Sequence, residues 1–335
     1  MRDKYSRQYI DDHGNVTGFN MERFNRMHNG YRRYKKRRNG LGIFNFIKHC
    51  TRATDKNWHI LLKVFHIILA GSRSLRKDGF KSRLYKRLVM LGPDKKRNSA
   101  ALVLPLNVDV SEYGEKVVLP IDLIKATLAK ADYIAAMHKC ICRDAEDCQN
   151  YPHDLACLFM GRIAEHVVEN GLAKKVTFEE ACAHVDRAAE YGLVGQSVWI
   201  EVEQFIWGIN NEEMDQFLEI CFCCPCCCIT MNLARNATGS KDIRNRFHPS
   251  GWTAVPDRSK CIGCGACLSV RCPQEALSLR DDNIIEINQD CCVGCGICKA
   301  KCAQGAIKIR QTMPMRSSIK EYFKEDFSLD LDLLD

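Results

Sequence analysis

Two cysteine runs near the C-terminus restrict this chain more than any other feature. They read Cys261-Ile-Gly-Cys264-Gly-Ala-Cys267 followed by Cys272-Pro273, and Cys292-Val-Gly-Cys295-Gly-Ile-Cys298 followed by Cys302. Three cysteines at intervals of two residues wrap one tight loop around three corners of a cubane iron–sulfur cluster, whose four irons each need a thiolate. The fourth ligand must come from elsewhere in the chain. Gly263, Gly265, Gly294 and Gly296 stand between the ligands, where a loop curling around an inorganic core needs positive φ and close backbone approach. A zinc ribbon is the competing reading, but zinc-binding pairs do not need a third cysteine at the same interval.

Residues 276–280, 283–288 and 306–310 alternate apolar and polar side chains, with a turn at Asp281-Asp282. The pattern predicts a compact pseudo-twofold unit of short strands with one helical turn after each run. From about Lys260 to Arg310 the segment resembles the bacterial two-cluster ferredoxins. The resemblance implies that the fourth cysteine of each run serves the other run's cluster. Cys261, Cys264, Cys267 and Cys302 would hold one 4Fe-4S cluster, and Cys292, Cys295, Cys298 and Cys272 the other. The chain departs from the family pattern twice: four residues rather than three separate Cys267 from Cys272, and Ala303 stands where Pro is usual.

Length and cysteine usage set the wider frame. A chain of 335 residues can bury a sizeable core and hold two or three domains. Its 21 cysteines would suggest disulfides in a small secreted protein, but the N-terminus, MRDKYSRQYIDDHG, has no apolar export segment. The expectation is a cytoplasmic protein whose thiols stay reduced and serve as metal ligands. Exposed thiolate and iron at such density oxidise easily, which favours an anaerobic or micro-oxic host. No stretch has the roughly 20 uninterrupted apolar residues of a membrane span.

Charge is divided unevenly. Residues 1–100 carry 25 Lys and Arg against 7 Asp and Glu, whereas residues 101–335 carry 24 against 34. In the basic third, His59, Lys63 and His66 fall at i, i+4 and i+7 on one stripe of an otherwise apolar helix. Two readings stay open: a core helix of a basic docking domain, or a helix drawn to an anionic membrane on its inner face. Seven helical residues put His59 and His66 about 10.5 Å apart, too far to share one ion. Tyr31, Tyr34 and Phe44 interleave with the basic run 31–38, yet no zinc-finger, RNA-binding or helix-turn-helix pattern accompanies them, so nucleic acid is the weakest partner reading. A basic surface also suits an acidic redox partner. The acidic tail 311–335, with large apolar residues interspersed, reads as a solvated segment, with folding back on the basic region or binding a partner also open.

A second group of cysteines occupies the middle of the chain. Pro120 opens a helix to Lys130, and Cys140-Ile-Cys142-Arg143, Cys148 and Cys157 follow. Residues 154–171 read as a helix with Cys157 in its first turn, where the dipole favours a thiolate or an anionic cluster. Thr177-Phe-Glu-Glu180 is a capping box for a helix to Gly192. Another helix is expected over residues 214–220, ending in Cys221-Phe-Cys223-Cys224-Pro-Cys226-Cys227-Cys228. Packing does not explain six cysteines in eight residues. From Val117 to Arg310 the pattern resembles a group of cytosolic iron–sulfur proteins of anaerobes that carry a C-x-C-R domain before a ferredoxin module. One further cluster at Cys140, Cys142, Cys148 and Cys157 and another within Cys221 to Cys228 are expected, with zinc the main competitor at both and pooling of the two groups also open. Arg143 would set a fixed positive charge beside a cluster. Cys182 reads as core, and Cys50 and Cys291 stay unassigned.

The sequence therefore predicts an α+β protein. A basic, largely helical region at 1–100 precedes a mixed cysteine-rich domain at 101–230, a linker at 231–256, a two-cluster ferredoxin module at 257–310 and the tail. The expected function is one-electron transfer among 4Fe-4S clusters and a redox partner. The alternatives are an iron–sulfur reductase of a small molecule and, with less support, a redox sensor that binds nucleic acid. No phosphate loop, flavin fingerprint or nucleophile–histidine–acid arrangement is present to give an enzyme a substrate. Protein purified without oxygen is expected to carry about eight irons or more per chain, and fewer than about six by elemental analysis would contradict the two-cluster reading.

Overall fold

The computed structural model describes residues 50–89, 99–110, 117–200, 203–209, 211–238, 241–244, 246–315, 318–327 and 331. The basic run 31–38 and the aromatics Tyr31, Tyr34 and Phe44 lie outside these residues. In the described part of the basic third, α1 (Trp58–Ser72) and α2 (Phe80–Val89) are helical. Trp58 and Leu61 pack on the main core, and Ile68 on a satellite cluster of Leu75, Tyr85, Ala237 and Ile243. The stripe of His59, Lys63 and His66 is exposed, and so are Ile60, Val64 and Ile67 beside it. No helix among the described residues is long and apolar enough to cross a membrane.

The centre is a seven-stranded sheet. Its strands are β1 (Ser99–Pro105), β2 (Ile134–Met137), β3 (Leu158–Met160), β4 (Ala173–Lys175), β5 (Val194–Ile200), β6 (Leu218–Cys223) and β7 (Phe247–Pro249), in the order β4-β2-β3-β6-β5-β1-β7. Every neighbouring pair is antiparallel except β1 with β7. The helices between them are α3 (Pro120–Lys130), α4 (Ile141–Ala145), α5 (Glu165–Glu169), α6 (Phe178–Glu190), α7 (Glu203–Trp207), α8 (Ile229–Asn236) and α9 (Lys241–Arg244). Two follow from local signals. Pro120 stands in the first turn of α3, where its missing N–H costs nothing. Thr177 Oγ1 accepts from Glu180 N at 3.2 Å while Glu180 Oε2 accepts from Thr177 N at 2.9 Å, closing the capping box of α6. These two helices pack on each other and on the sheet.

Two predicted helices are replaced by strands. Cys157 does not enter a helical turn but runs directly into β3, whose Leu158, Phe159 and Met160 are all fully buried between β2 and β6. Of that span only a 3-10 turn at Arg162–Ala164 and α5 are helical. Residues 218–223 form β6 rather than the end of a helix, preceded by a 3-10 turn over Asn211–Gln216. In both places a short apolar run is ambiguous by periodicity, and burial between neighbouring strands decides it.

The C-terminal module contains β8 (Trp252–Pro256), the hairpin of β9 (Leu277–Leu279) and β10 (Ile285–Ile287), α10 (Ile297–Lys301) and β11 (Ile307–Gln311), which pairs with β8. Residues 231–256, expected as a linker, are instead folded: they contribute α8, α9, β7 and β8, the last two paired to β1 and β11. The tail is corrected as well. Its helix α11 (Ile319–Phe327) buries Ile319, Tyr322 and Phe323 at i, i+3 and i+4 in the main core, with Leu331 beyond them. Ser318 Oγ accepts from Glu321 N at 3.0 Å at its start. The acidic residues hid an amphipathic face, because net charge says nothing about where the apolar side chains fall. Cys182 is half-buried on α6 rather than in the core. Phe323→Ala is expected to destabilise the fold by about 3–5 kcal/mol in anaerobic denaturant unfolding, and a loss below about 1 kcal/mol would mean that the tail does not dock in solution.

Candidate metal centres

The C-terminal cysteines line two cavities. One is bounded by Cys261, Cys264, Cys267 and Cys302 with Ile285 and Ile307. The other is bounded by Cys272, Cys292, Cys295 and Cys298 with Val293 and Ile297. Each cavity thus draws three thiols from one run and one from the other. Backbone N–H groups reach the sulfurs: Ile285 N lies 3.5 Å from Cys261 Sγ, Ala306 N 3.3 Å from Cys302 Sγ and Ala254 N 3.3 Å from Cys292 Sγ. Such donors favour the thiolate. Burial pushes the Cys295 thiol up to about 12 and raises Cys298 too, a cost that ligation to a metal removes because a coordinated thiol is deprotonated outright.

The loops have the backbone this role needs. Gly263, Gly265, Gly294 and Gly296 all have positive φ, between 67° and 73°. At Gly294 close approach matters as well: an added Cβ would lie 2.0 Å from Trp252 O. Donor set, cavity and loop geometry all fit 4Fe-4S clusters.

The ten middle cysteines converge because of sheet order. β2 and β6 end, and β3 begins, at the same end of three adjacent strands. That end carries Cys140, Cys142 and Cys148 after β2, Cys157 before β3, and Cys221 to Cys228 in and after β6. The two segments pool their cysteines, the alternative left open by the sequence, rather than each forming a group of its own. Cys148 Sγ lies 3.7 Å from Cys226 Sγ, and Cys157 Sγ lies 3.5 Å from Cys221 Sγ. Cys148, Cys224, Cys226 and Cys227 bring their four sulfurs within 4.8 Å of one another. Cys140, Cys142, Cys223 and Cys228 lie near enough for their thiols to influence one another's ionisation, Cys140 with Cys142 and Cys223, and Cys228 with Cys223 and Cys142. Hydrogen bonds from Cys221 and Cys228 pull the Cys223 thiol down to about 6, and those from Cys227 pull Cys224 to about 5.

Arg143 lies among these sulfurs and is fully buried. Its Nη1 donates to Phe222 O at 2.9 Å and its Nη2 to Leu155 O, while Nε has no hydrogen-bond partner among the described residues. Burial opposes its charge, and the sulfurs of Cys140, Cys224, Cys223 and Cys157 favour it strongly enough to raise its pKa. A buried guanidinium with only neutral carbonyl acceptors needs an anion nearby, which a thiolate-ligated centre provides.

Several supporting residues carried no signal in the sequence. Trp58 Nε1 donates to Asp144 Oδ2 at 2.6 Å, His153 Nδ1 lies 3.0 Å from Asp144 Oδ1, and His153 Nε2 lies 3.0 Å from Cys148 O. They brace α4 and the Cys148 loop against α1. Glu219 Oε1, 2.9 Å from Cys221 Sγ, joins Cys157 and Cys221 in a smaller group. The C-x-C-R spacing alone gives no hint of Trp58 or Glu219, because they are distant in sequence. Cys50 and Cys291 are exposed.

Residues 260–315 match the family described as a 4Fe-4S dicluster domain. Among characterised and catalogued proteins, hydrogenase-4 component A of Escherichia coli is 38% identical over 63 residues, which is 19% of this chain and 30% of that protein. An uncharacterized ferredoxin of Methanocaldococcus jannaschii is 34% identical over 55 residues, covering 16% of this chain and 87% of the ferredoxin. Pyruvate synthase subunit PorD of Methanothermobacter marburgensis is 40% identical over 55 residues, 16% of this chain and 62% of the subunit. No solved structure matches. Gly294→Ala is expected to lower the iron content by about four per chain through loss of the Cys272, Cys292, Cys295 and Cys298 site, whereas Gly305→Ala, with nothing within 4 Å of an added Cβ, tests backbone strain without the clash. Equal iron in Gly294→Ala and wild type would refute the constraint.

Proposed function

From the premise that this chain belongs to the 4Fe-4S dicluster ferredoxins, we propose that it is a single-electron carrier, a polyferredoxin that exchanges electrons with a redox partner protein through its C-terminal module and relays them to its cysteine-rich middle region. The observation that carries this reading is a shared seam. Val293 and Ile297 of the module, with Cys295 at the edge, belong to the same buried apolar cluster as Cys223, Cys228 and Met231 of the middle region. Arg235 lies where it feels the charges of Cys295, Cys228 and Cys272.

Bound clusters supply reversible one-electron chemistry. The chain's own residues hold them in an order from surface to interior. Cys264 is exposed and Ile262 next to it is 67% exposed, an apolar contact for a partner beside the Cys261, Cys264, Cys267 and Cys302 site. The Cys272, Cys292, Cys295 and Cys298 site adjoins the seam, through Val293, Cys295 and Ile297. There Cys140, Cys142, Cys223 and Cys228 are the candidate ligands of a third 4Fe-4S cluster, with Arg143 compensating its negative charge. On this reading residues 101–230 and 257–310 are the two redox regions.

The partner class follows from the relatives named as parts of a hydrogenase and of a pyruvate synthase: a multisubunit oxidoreductase. Exposed Ile60, Val64 and Ile67 beside the basic residues of α1 and α2 support peripheral contact with an anionic membrane surface from the cytoplasmic side. The test is anaerobic reductive titration with iron and sulfide analysis. Wild type is expected to take up about three electrons per chain, and Cys140→Ser/Cys223→Ser about two with about four fewer irons and sulfides. Unchanged electron uptake and iron in the variant would refute the third cluster, and a wild type that takes up no electrons would refute the carrier.

A further inference from the structure

The cysteines of this protein form two kinds of site, distinguished by how far apart their sulfurs stand. In the C-terminal module each set of four lines a pocket of its own. Among the described residues, none of those eight cysteines belongs to a group of three or more ligand atoms lying within 4.8 Å of one another. Thiolates on a cubane must stand this way, since each binds a different iron on the outside of the core.

Cys148, Cys224, Cys226 and Cys227 do the opposite. All four sulfurs lie within 4.8 Å of one another, with Cys148 to Cys226 at 3.7 Å and Cys226 to Cys227 at 3.3 Å. A tetrahedral ion with metal–sulfur bonds of about 2.3 Å sets its sulfurs about 3.8 Å apart. Sulfurs this close leave no space for four irons and four sulfides. Cys227 N points at Cys224 Sγ, 3.3 Å away, as an N–H donor does when stabilising a thiolate.

We infer that Cys148, Cys224, Cys226 and Cys227 bind one tetrahedral divalent ion, zinc or iron(II), rather than an iron–sulfur cluster. The site goes beyond the carrier reading above and uses none of the ligands assigned there. Cys148 arrives from a different segment, held by the Cys148 N to Arg143 O bond at 2.9 Å and by His153 on its carbonyl. The ion therefore clamps the loop after α4 to the end of β6, next to the buried Arg143. Cys226 is exposed, which leaves the ion a way in. A zinc ion makes the clamp purely structural, whereas iron(II) adds a one-electron couple at the same four thiolates.

The test is metal and acid-labile sulfide analysis with X-ray absorption on the full chain purified without oxygen, as wild type, as Cys226→Ser and as a Cys182→Ser control. Wild type is expected to hold about one metal per chain in excess of sulfide, with a four-sulfur shell near 2.3 Å: zinc if the clamp is structural, or iron exceeding sulfide by about one if it is redox-active. Cys226→Ser is expected to lose that equivalent and keep all sulfide-matched iron. Loss of about four irons and four sulfides from Cys226→Ser would overturn the inference. So would a wild type in which every metal is matched by sulfide, a result that needs no variant to fold. Failure of the carrier reading is distinguishable, because it concerns the sulfide-matched iron, which is counted separately.

Discussion

The antiparallel pairing of β3 with both β2 and β6 is the constraint on which the middle of this protein depends. Pairing β2 with β3 puts the residues after Met137 beside those before Leu158, and pairing β3 with β6 brings the end of β6 to the same place. Ten cysteines from stretches more than sixty residues apart thereby meet at one end of a sheet. Such a concentration of sulfur is costly unless charge is compensated. Arg143 supplies a positive charge that is locked in place by the carbonyls of Phe222 and Leu155, and so ties α4 to the strand that carries the other cysteines.

The rest of the chain supports that end of the sheet. α1 reaches it through Trp58 to Asp144 and through His66 to Glu146 at 2.9 Å. Burial acts to raise the Asp144 carboxyl, yet hydrogen bonds from Trp58 and His153 outweigh it and hold the group below its ordinary range. The tail helix buries Ile319, Tyr322 and Phe323 in the same core. On the far side of the sulfur-rich end, the apolar cluster of Met231, Val293 and Ile297 joins the C-terminal module to it. The helices α1 and α2, the tail helix and the segment expected as a linker thus pack around the cysteines through their apolar residues rather than their charge.

The grouping of the eight C-terminal cysteines in two sets of four, the positive-φ glycines between them and the short strands were legible in the sequence, because a loop around a cluster is a local object. Its spacing, its positive-φ positions and its alternating strands are all written within about fifty residues. The capping box at Thr177 and the proline-led helix at Pro120 were legible for the same reason. Two strands were misread as helices where Leu158-Phe-Met160 and the segment from Leu218 to Cys223 are short apolar runs whose period does not identify them.

What the sequence by itself determined is therefore the kind of chemistry: many thiols, with one module arranged for two clusters. Only the tertiary structure decided how the middle cysteines are shared, which of them touch, and that a buried arginine stands among them. The reason is physical. Which sulfurs meet depends on strand register and on the burial of β3 between two neighbours, and those are long-range contacts that no local spacing encodes.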